Sequence, residues 1–420
     1  MNPIIESGLA VQRNEATSND FPEILVSEGS SSVRDPERIL HISNTDIASD
    51  SRILKELIVI KNISNATVFA FGVPNGRSKE NSSIDGIIYF QQVLFFRRLT
   101  LLPRAVRYFF EIFEFTIRAI ILARKIRPTV VHCHDAFALP TGYFANVLFG
   151  SILIYDAHEL ESDKNGQNAI LSSCTLWIEK FSWKKVDLFI SVSGAIIEWY
   201  MKELGAKNNI LVLNSPEISS SSPESYFHSE SGRYFHRKYD IPADRRVFVY
   251  LGILAPGRGI ETIVTAFADS GVQAHVVFIG FGPLESEIRE YSRKFGNVHL
   301  HEPVTHNQVV PLVRNADFGL CLIENVSLSD YYCLPNKLFE YAFAGLPVLA
   351  SNLPEIERIV STYSLGQCCD TDFESVRQAI ADLAARGPGK ISSALTELSW
   401  GSQAARLSLA YQDLLRGRIG

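Results

Sequence analysis

The chain is short of several things, and each shortage closes off a class of protein. Its six cysteines contain no Cys-x-x-Cys pair, and Cys368 and Cys369 are adjacent, which is awkward for a mutual disulfide. That argues against a disulfide scaffold or a thiolate metal site and for reduced, mostly buried thiols, as in a cytoplasmic protein. No stretch of about 18 uncharged apolar residues occurs, so no conventional transmembrane helix is expected. No basic segment followed by an apolar run stands near the start, so no secretory signal is expected either. Positive charge is the minority: 40 Lys and Arg face 46 Asp and Glu, and the net charge of −6 speaks against nucleic acid as the main partner.

What is present is core. With 420 residues, 46% of them hydrophobic, two domains of roughly 150–200 residues are expected. Residues 1–36 are rich in Ser, Glu, Asn and Asp without periodicity and read as a flexible extension. From residue 37 to 214, short apolar runs alternate with helical stretches. The runs are Arg38–Ile42, Thr67–Phe71, Thr129–His132, Ile152–Tyr155, Leu188–Ser191 and Ile210–Leu213. Compact apolar runs of this kind suit the doubly buried strands of a parallel sheet. Residues 215–245 change composition, with the run ISSSSPES from Ile218, and form the expected interdomain connection. Alternation resumes over 246–400, with strands expected at Val247–Leu251, His275–Ile279, Val298–Leu300, Phe318–Leu322 and Pro347–Ala350. The fold class is α/β, two doubly wound Rossmann-like domains. A last helix over residues 401–420 carries Leu407, Leu409, Leu414 and Leu415 and needs a surface to pack on; the N-terminal domain is one option.

The most informative segment is LPNKLFEYAFAGLPVLASNLPE, from Leu334 to Glu355. A Pro335-Asn336-Lys337 turn enters a short helix carrying Glu340, Gly345 ends it, and an apolar strand follows. A helix N-terminus presents unbonded N–H groups and the positive end of a dipole, which suits phosphate. A Glu one turn further in can accept hydrogen bonds from a sugar diol. Together they make a site for a sugar nucleotide, although an ordinary helix–Gly–strand unit would explain the Gly and the apolar pattern.

Other strand ends add to this, because open α/β sheets bind ligands there. Gly252 follows a strand, and Pro256-Gly257-Arg258-Gly259 leads into a helix. Small residues let backbone approach a diphosphate, and Arg258 can grip it with a charge-assisted fork, or else be structural. Gly280 and Gly282 bracket Phe281: they either open room for a nucleotide or merely make the turn.

Seven runs in order, IASDSRILKE, VVHCHD, YDAHEL, VLNSPE, YLGILAPGRGIE, FIGFGPL and the segment above, resemble the retaining glycosyltransferases of family 4. The resemblance spans roughly residues 38–415 and implies the GT-B architecture, two Rossmann-like domains facing across a cleft. It implies that Arg258, Lys337, Gly252 and Gly259 hold the donor phosphates, and that Glu340 takes the ribose hydroxyls with Phe281 and Gly282 nearby. The family commonly has a first Glu seven positions earlier that touches the donor sugar; here that position is Tyr332. Pro335 and Asn336 match a turn used in some branches, on the donor-sugar side. A second Arg usual after the first Gly is Ile253 here.

The resemblance places His158 beside the donor's reacting carbon, supporting an oxocarbenium-like transition state; a strand-end His bonded to local backbone is the plain alternative. His134 and Asp135 end the preceding strand and either bind acceptor or hold the loop. The loop with Asn44 and Asp46 lacks the family's Gly-Gly pair, so it is assigned to the acceptor side. Asp50 and Arg52 read rather as a helix cap pair. No metal is expected: Asp370-Thr371-Asp372 has a cation-binding spacing but is better explained as an N-cap before Phe373.

One segment stands apart. From Val93 to Phe110 the chain has four arginines and no acid, in a strongly aromatic context. Residues 109–123 read as a crossover helix buried on the sheet, whereas Phe95–Arg107 leaves attachment to an anionic membrane surface open.

The expected activity is transfer of a hexose-type unit from a nucleoside diphosphate sugar to a glycan or glycolipid hydroxyl, with retention and without cofactor. The location implied is cytoplasmic, peripheral to the inner face of the membrane. A nucleotide-sugar epimerase of the same fold would turn over donor without acceptor. A non-catalytic nucleotide-sugar-binding subunit would bind donor and transfer nothing.

Overall fold

The computed structural model describes residues 36–63, 66–74, 80–217, 233–269, 271–392 and 394–417. The expected extension at 1–36, apart from Pro36, and the run from Ile218 lie outside them. Among the described residues two sheets form. The first has eight strands: β1 (Glu37–Ile42), β2 (Ala66–Gly72), β3 (Glu80–Ile84), β4 (Ile87–Gln91), β5 (Val130–His134), β6 (Ile152–Ala157), β7 (Leu188–Ser191) and β8 (Asn209–Leu211). Their order is β3-β4-β2-β1-β5-β6-β7-β8. The second has six: β9 (Arg246–Leu251), β10 (Ala274–Ile279), β11 (Val298–His301), β12 (Phe318–Cys321), β13 (Val348–Ser351) and β14 (Gly366–Cys369). Their order is β11-β10-β9-β12-β13-β14, so it reverses beside β9. These are two Rossmann-like sheets, as the alternating pattern implies.

Three strands and a hairpin turn go beyond the sequence reading. β3 and β4 pair antiparallel across a two-residue turn, Asp85-Gly86, whose φ angles are 51° and 73°. That is the mirror-image turn which suits the strand twist, and an Asp-Gly dipeptide is its usual signature. β14 reads Gly-Gln-Cys-Cys, and a partly exposed edge strand gives no apolar run to notice.

The six-stranded sheet shows why its strands are apolar throughout. Val247, Val249 and Leu251 enter one core with Leu338, Phe339 and Ile356, whereas Phe248 and Tyr250 enter the other with Ile263 and Phe267. Successive side chains alternate between faces, and helices cover both. Tyr341 knits the first core: its hydroxyl donates to the Val249 carbonyl (3.1 Å) and accepts from the Leu251 N–H (2.8 Å).

The described residues gather into two compact units, one within 36–132 with 140–152, the other within 133–139 with 153–417. In the first, Asp50 caps helix Ser51–Lys61 by accepting the N–H groups of Arg52 and Ile53, while Arg52 itself pairs with Glu56 at 3.1 Å. The buried reading of residues 109–123 holds for one face only. In helix Arg104–Ile126, Phe115, Ala119 and Leu122 are buried, but Phe109, Phe113, Ile117 and Ile121 are exposed. Both faces are apolar, so composition alone cannot say which is covered. In the second unit, the closing helix Trp400–Gly417 seats Gln403 and Arg406 on the backbone of Leu213 and Leu211. Its Leu407 is buried and its Leu409 is exposed.

Candidate functional site

The ends of β5 and β6 build a histidine corner. His158 follows β6, and its Nε2 lies 3.2 Å from the fully buried Asp156 carboxylate and 3.3 Å from His134 Nδ1. On the other side of the ring, Nδ1 lies 3.8 Å from Asp135, which also accepts the His158 backbone N–H at 3.3 Å. His158 therefore has a carboxylate facing each ring nitrogen. Burial lowers the His134 pKa from its ordinary value, so that ring is neutral near pH 7. Burial alone would raise the Asp135 carboxyl, but His158 and Lys164 outweigh it and hold it low. Behind Asp135, burial and then the Asp135 charge push Glu161 well above the usual range, while Lys164 sits 2.6 Å from it. His134 and Asp135, considered for acceptor binding or loop support, are thus in contact with His158.

Deeper still, Glu179 accepts from the Tyr155 hydroxyl at 2.7 Å and from Tyr200, and burial pushes its pKa up to about 7. These tyrosines lock β6 to the helices behind it, which fixes where His158 emerges.

The strand-end loop after β6 is tied to the short helix Leu328–Tyr331. The Leu160 N–H donates to Ser329 Oγ (3.3 Å) and the Ser329 N–H to the Asp163 carbonyl (3.0 Å). A pocket of about 240 Å³ lies here, lined among others by His158, Lys164, Arg258, Asp330, Pro335 and Asn336. Four of these, His158, Arg258, Pro335 and Asn336, are residues singled out from sequence. Arg258 Nη1 faces Asp330 Oδ1 at 3.7 Å, and Asp330 is further held by the Ser327 hydroxyl at 2.8 Å. Burial raises the Asp330 carboxyl above its ordinary range. Tyr332 stands between two lining residues, Asp330 and Cys333, and its backbone carbonyl accepts from Ser193 Oγ at 2.6 Å. Asp330, Lys164 and Asn214 were not singled out. Asn214 stands inside the VLNSPE run, so a signal existed; the other two depend on folding.

The second corner lies at the end of β9. Lys337, in the first turn of helix Asn336–Ala344, is only 8% exposed. Its ammonium stands 3.8 Å from the Tyr250 ring centroid and beside Gly252, and among the described residues it has no hydrogen-bond partner. The aromatic face offsets part of the desolvation, but no described residue accepts from its donors. Pro335 caps the helix without a side-chain bond, so the dipole end is not closed by a cap. Glu340 is buried one turn further in. The next loop is pinned backbone to backbone. A Cβ on Gly280 would meet the Gly252 carbonyl, and one on Gly282 the Leu254 carbonyl, at φ of 151° and 154°. Those glycines allow two loops to touch, so the space beside them is filled; Phe281 is exposed.

Asn44 and Asp46 belong to the first unit. The Asn44 carbonyl accepts from Arg97 (3.2 Å) and Asp46 from Gln91 (2.8 Å). Asp372 caps the helix Phe373–Arg386 by accepting the Ser375 N–H at 3.0 Å.

Residues 65–214 match the family Glycosyltransferase Family 4, and residues 245–386 match Glycosyl transferases group 1. No curated protein matches the chain. Among solved structures, sucrose-phosphate synthase from Thermosynechococcus elongatus is similar with a TM-score of 0.70 and 18% identity, over 91% of this chain and 100% of that one. HepE of Anabaena, solved with UDP-glucose, gives 0.61 and 12%, over 90% and 99%. The lipopolysaccharide outer core galactosyltransferase WaaB gives 0.54 and 15%, over 83% and 90%. At these identities the likeness is one of fold.

Proposed function

Because the chain belongs to the family 4, group 1 glycosyltransferases, we propose that it moves a hexose-type unit from a nucleoside diphosphate sugar to an acceptor hydroxyl with retention. The observation that carries this is Lys337: a buried ammonium, without a hydrogen-bond partner among the described residues, at a strand end beside Gly252. A diphosphate supplies the missing acceptors, and a point-like ammonium suits it. In this reading Arg258 joins it on the phosphates, Glu340 takes the ribose diol, and Pro335, Asn336 and Asp330 lie against the sugar.

The chemistry then follows from placement. The bond from the anomeric carbon to the phosphate oxygen breaks as positive charge develops on the sugar ring. Lys337 and Arg258 stabilise the negative charge that gathers on the departing diphosphate. The acceptor oxygen bonds to the same face of the carbon, and its proton passes to the leaving phosphate oxygen, which preserves configuration. His158, fixed between two carboxylates, is the group offered to the sugar as charge develops.

The acceptor in this reading is a glycan or glycolipid of bacterial surface synthesis, in keeping with the galactosyltransferase among the structural relatives. The enzyme would work in the cytoplasm, peripheral to the inner face of the cell membrane, in keeping with six free cysteines. Among the described residues, no helix is long and apolar enough to cross a membrane. The test is release of nucleoside diphosphate across a panel of donors, with and without acceptor glycans. One donor should stand out, with release that depends on acceptor. Donor turnover to an epimer without acceptor would contradict the reading.

A further inference from the structure

The first unit carries a surface that donor chemistry does not use. Along helix Arg104–Ile126, Val106, Phe109, Phe110, Phe113, Ile117 and Ile121 are all exposed, from 36% to 65%. Steps of three and four residues put them in one stripe, roughly 22 Å long at 1.5 Å per residue. The turn before the helix extends it: Leu101 is fully exposed and Phe95 is 59% exposed. This turn is fastened in place. Phe96 stacks on Phe110 with centroids 4.9 Å apart, Glu114 accepts the N–H groups of Phe95 and Phe96, and Arg97 reaches Glu111 at 3.5 Å. The patch is preformed rather than a loose end.

Its charge says what covers it. Between residues 95 and 127 stand eight basic residues and two acids. Both acids are spent inside the segment, Glu111 on Arg97 and Arg107, and Glu114 on Arg118. Arg97, Arg98 and Arg104 are exposed at one end of the stripe, Arg124, Lys125 and Arg127 at the other. On a chain of net charge −6 this is a local reversal of sign. An apolar row with cations at both ends fits an interfacial helix: the rings enter the headgroup boundary while arginines reach anionic lipid phosphates. A second copy of the same stripe would set cations against cations.

We infer that this outer face of Arg104–Ile126, with its preceding turn, docks in the plane of an anionic lipid bilayer. The inference is independent of which donor the enzyme uses. The test is co-sedimentation of the full chain with phosphatidylcholine vesicles, with and without phosphatidylglycerol. Binding should be at least about tenfold tighter to the anionic vesicles and should weaken with salt. Phe113→Ser with Ile117→Ser should lower binding about tenfold while circular dichroism is unchanged, since both side chains already face solvent. Arg98→Glu with Arg104→Glu should remove the preference for anionic lipid. Equal binding to both vesicle types, or none, would overturn the inference. So would a Phe113→Ser/Ile117→Ser protein that turns from dimer to monomer in sedimentation while binding vesicles as before, because the face would then belong to a second copy.

Discussion

The two corners of the second unit bury charge in opposite ways. At the end of β9, Lys337 is 8% exposed and keeps its ammonium beside an aromatic ring and a glycine, with no hydrogen-bond partner among the described residues. At the ends of β5 and β6, His158 has Asp156 on one ring nitrogen and Asp135 on the other. A buried cation without a protein acceptor costs free energy that an anionic ligand offsets, and in the proposed reading the first corner therefore binds the donor phosphates. A side chain gripped from both sides is already oriented, and in the proposed reading the second corner therefore serves the chemical step, where orientation counts. Binding and chemistry are thereby assigned to different residues, and variants should separate them.

The largest effect belongs to His158. His158→Ala should lower turnover on the order of a hundredfold or more while leaving nucleoside diphosphate affinity nearly unchanged. Steady-state rates beside calorimetry decide it. A variant that transfers sugar at the normal rate would reduce His158 to a strand-end residue and blur the distinction between the corners.

Next comes the support behind that corner. Burial holds Glu179 at about 7 in the folded chain, against an ordinary carboxyl value of about 4.5. A folded-state pKa raised above the unfolded one contributes stability below about pH 4.5 and loses it as pH rises through about 7. The midpoint of thermal unfolding should thus slope downward across that window, by up to about 3 kcal/mol in stability terms. Glu179→Gln should reduce the slope, the remainder coming from carboxyls such as Glu161 and Asp330 that burial also raises. A slope unaltered in the variant would place the titration elsewhere.

The smallest expected effect is none. If, as proposed, Arg258, Lys337 and helix dipoles supply the positive charge, activity should survive EDTA. Asp370→Ala should also be silent, because the neighbouring Asp372 serves as a helix cap. Activity lost on chelation and restored only by Mg²⁺ or Mn²⁺ would require a cation at the leaving diphosphate.

How far the sequence reaches differs between the corners. The Lys337 corner is local: a turn, a nine-residue helix and a glycine stop all lie within one short segment, so reading it needs no tertiary information. The strands were visible for a similar reason, since doubly buried strands are continuously apolar. The His158 corner joins residues from two strand ends, and Asp156 as a partner becomes evident only once β6 places its carboxylate against the ring. Asp330 likewise meets Arg258 across 72 positions of sequence, and only the fold brings them to 3.7 Å. The outward row of Arg104–Ile126 was hidden because periodicity marks a helix with two apolar faces without saying which one is covered. The Asp85-Gly86 hairpin is different: its signature stood in the sequence, and only the weakly apolar β3 obscured it.

The most direct test of the division between the corners is nucleoside diphosphate calorimetry on Lys337→Met, with Arg258→Ala as its companion. Met fills the stem's place and removes a buried charge, so Lys337→Met should fold at least as stably as the parent chain. Its affinity should fall on the order of tenfold to a hundredfold, the scale of a lost charged hydrogen bond, and Arg258→Ala should do the same. Unchanged affinity in a folded Lys337→Met protein would contradict the account.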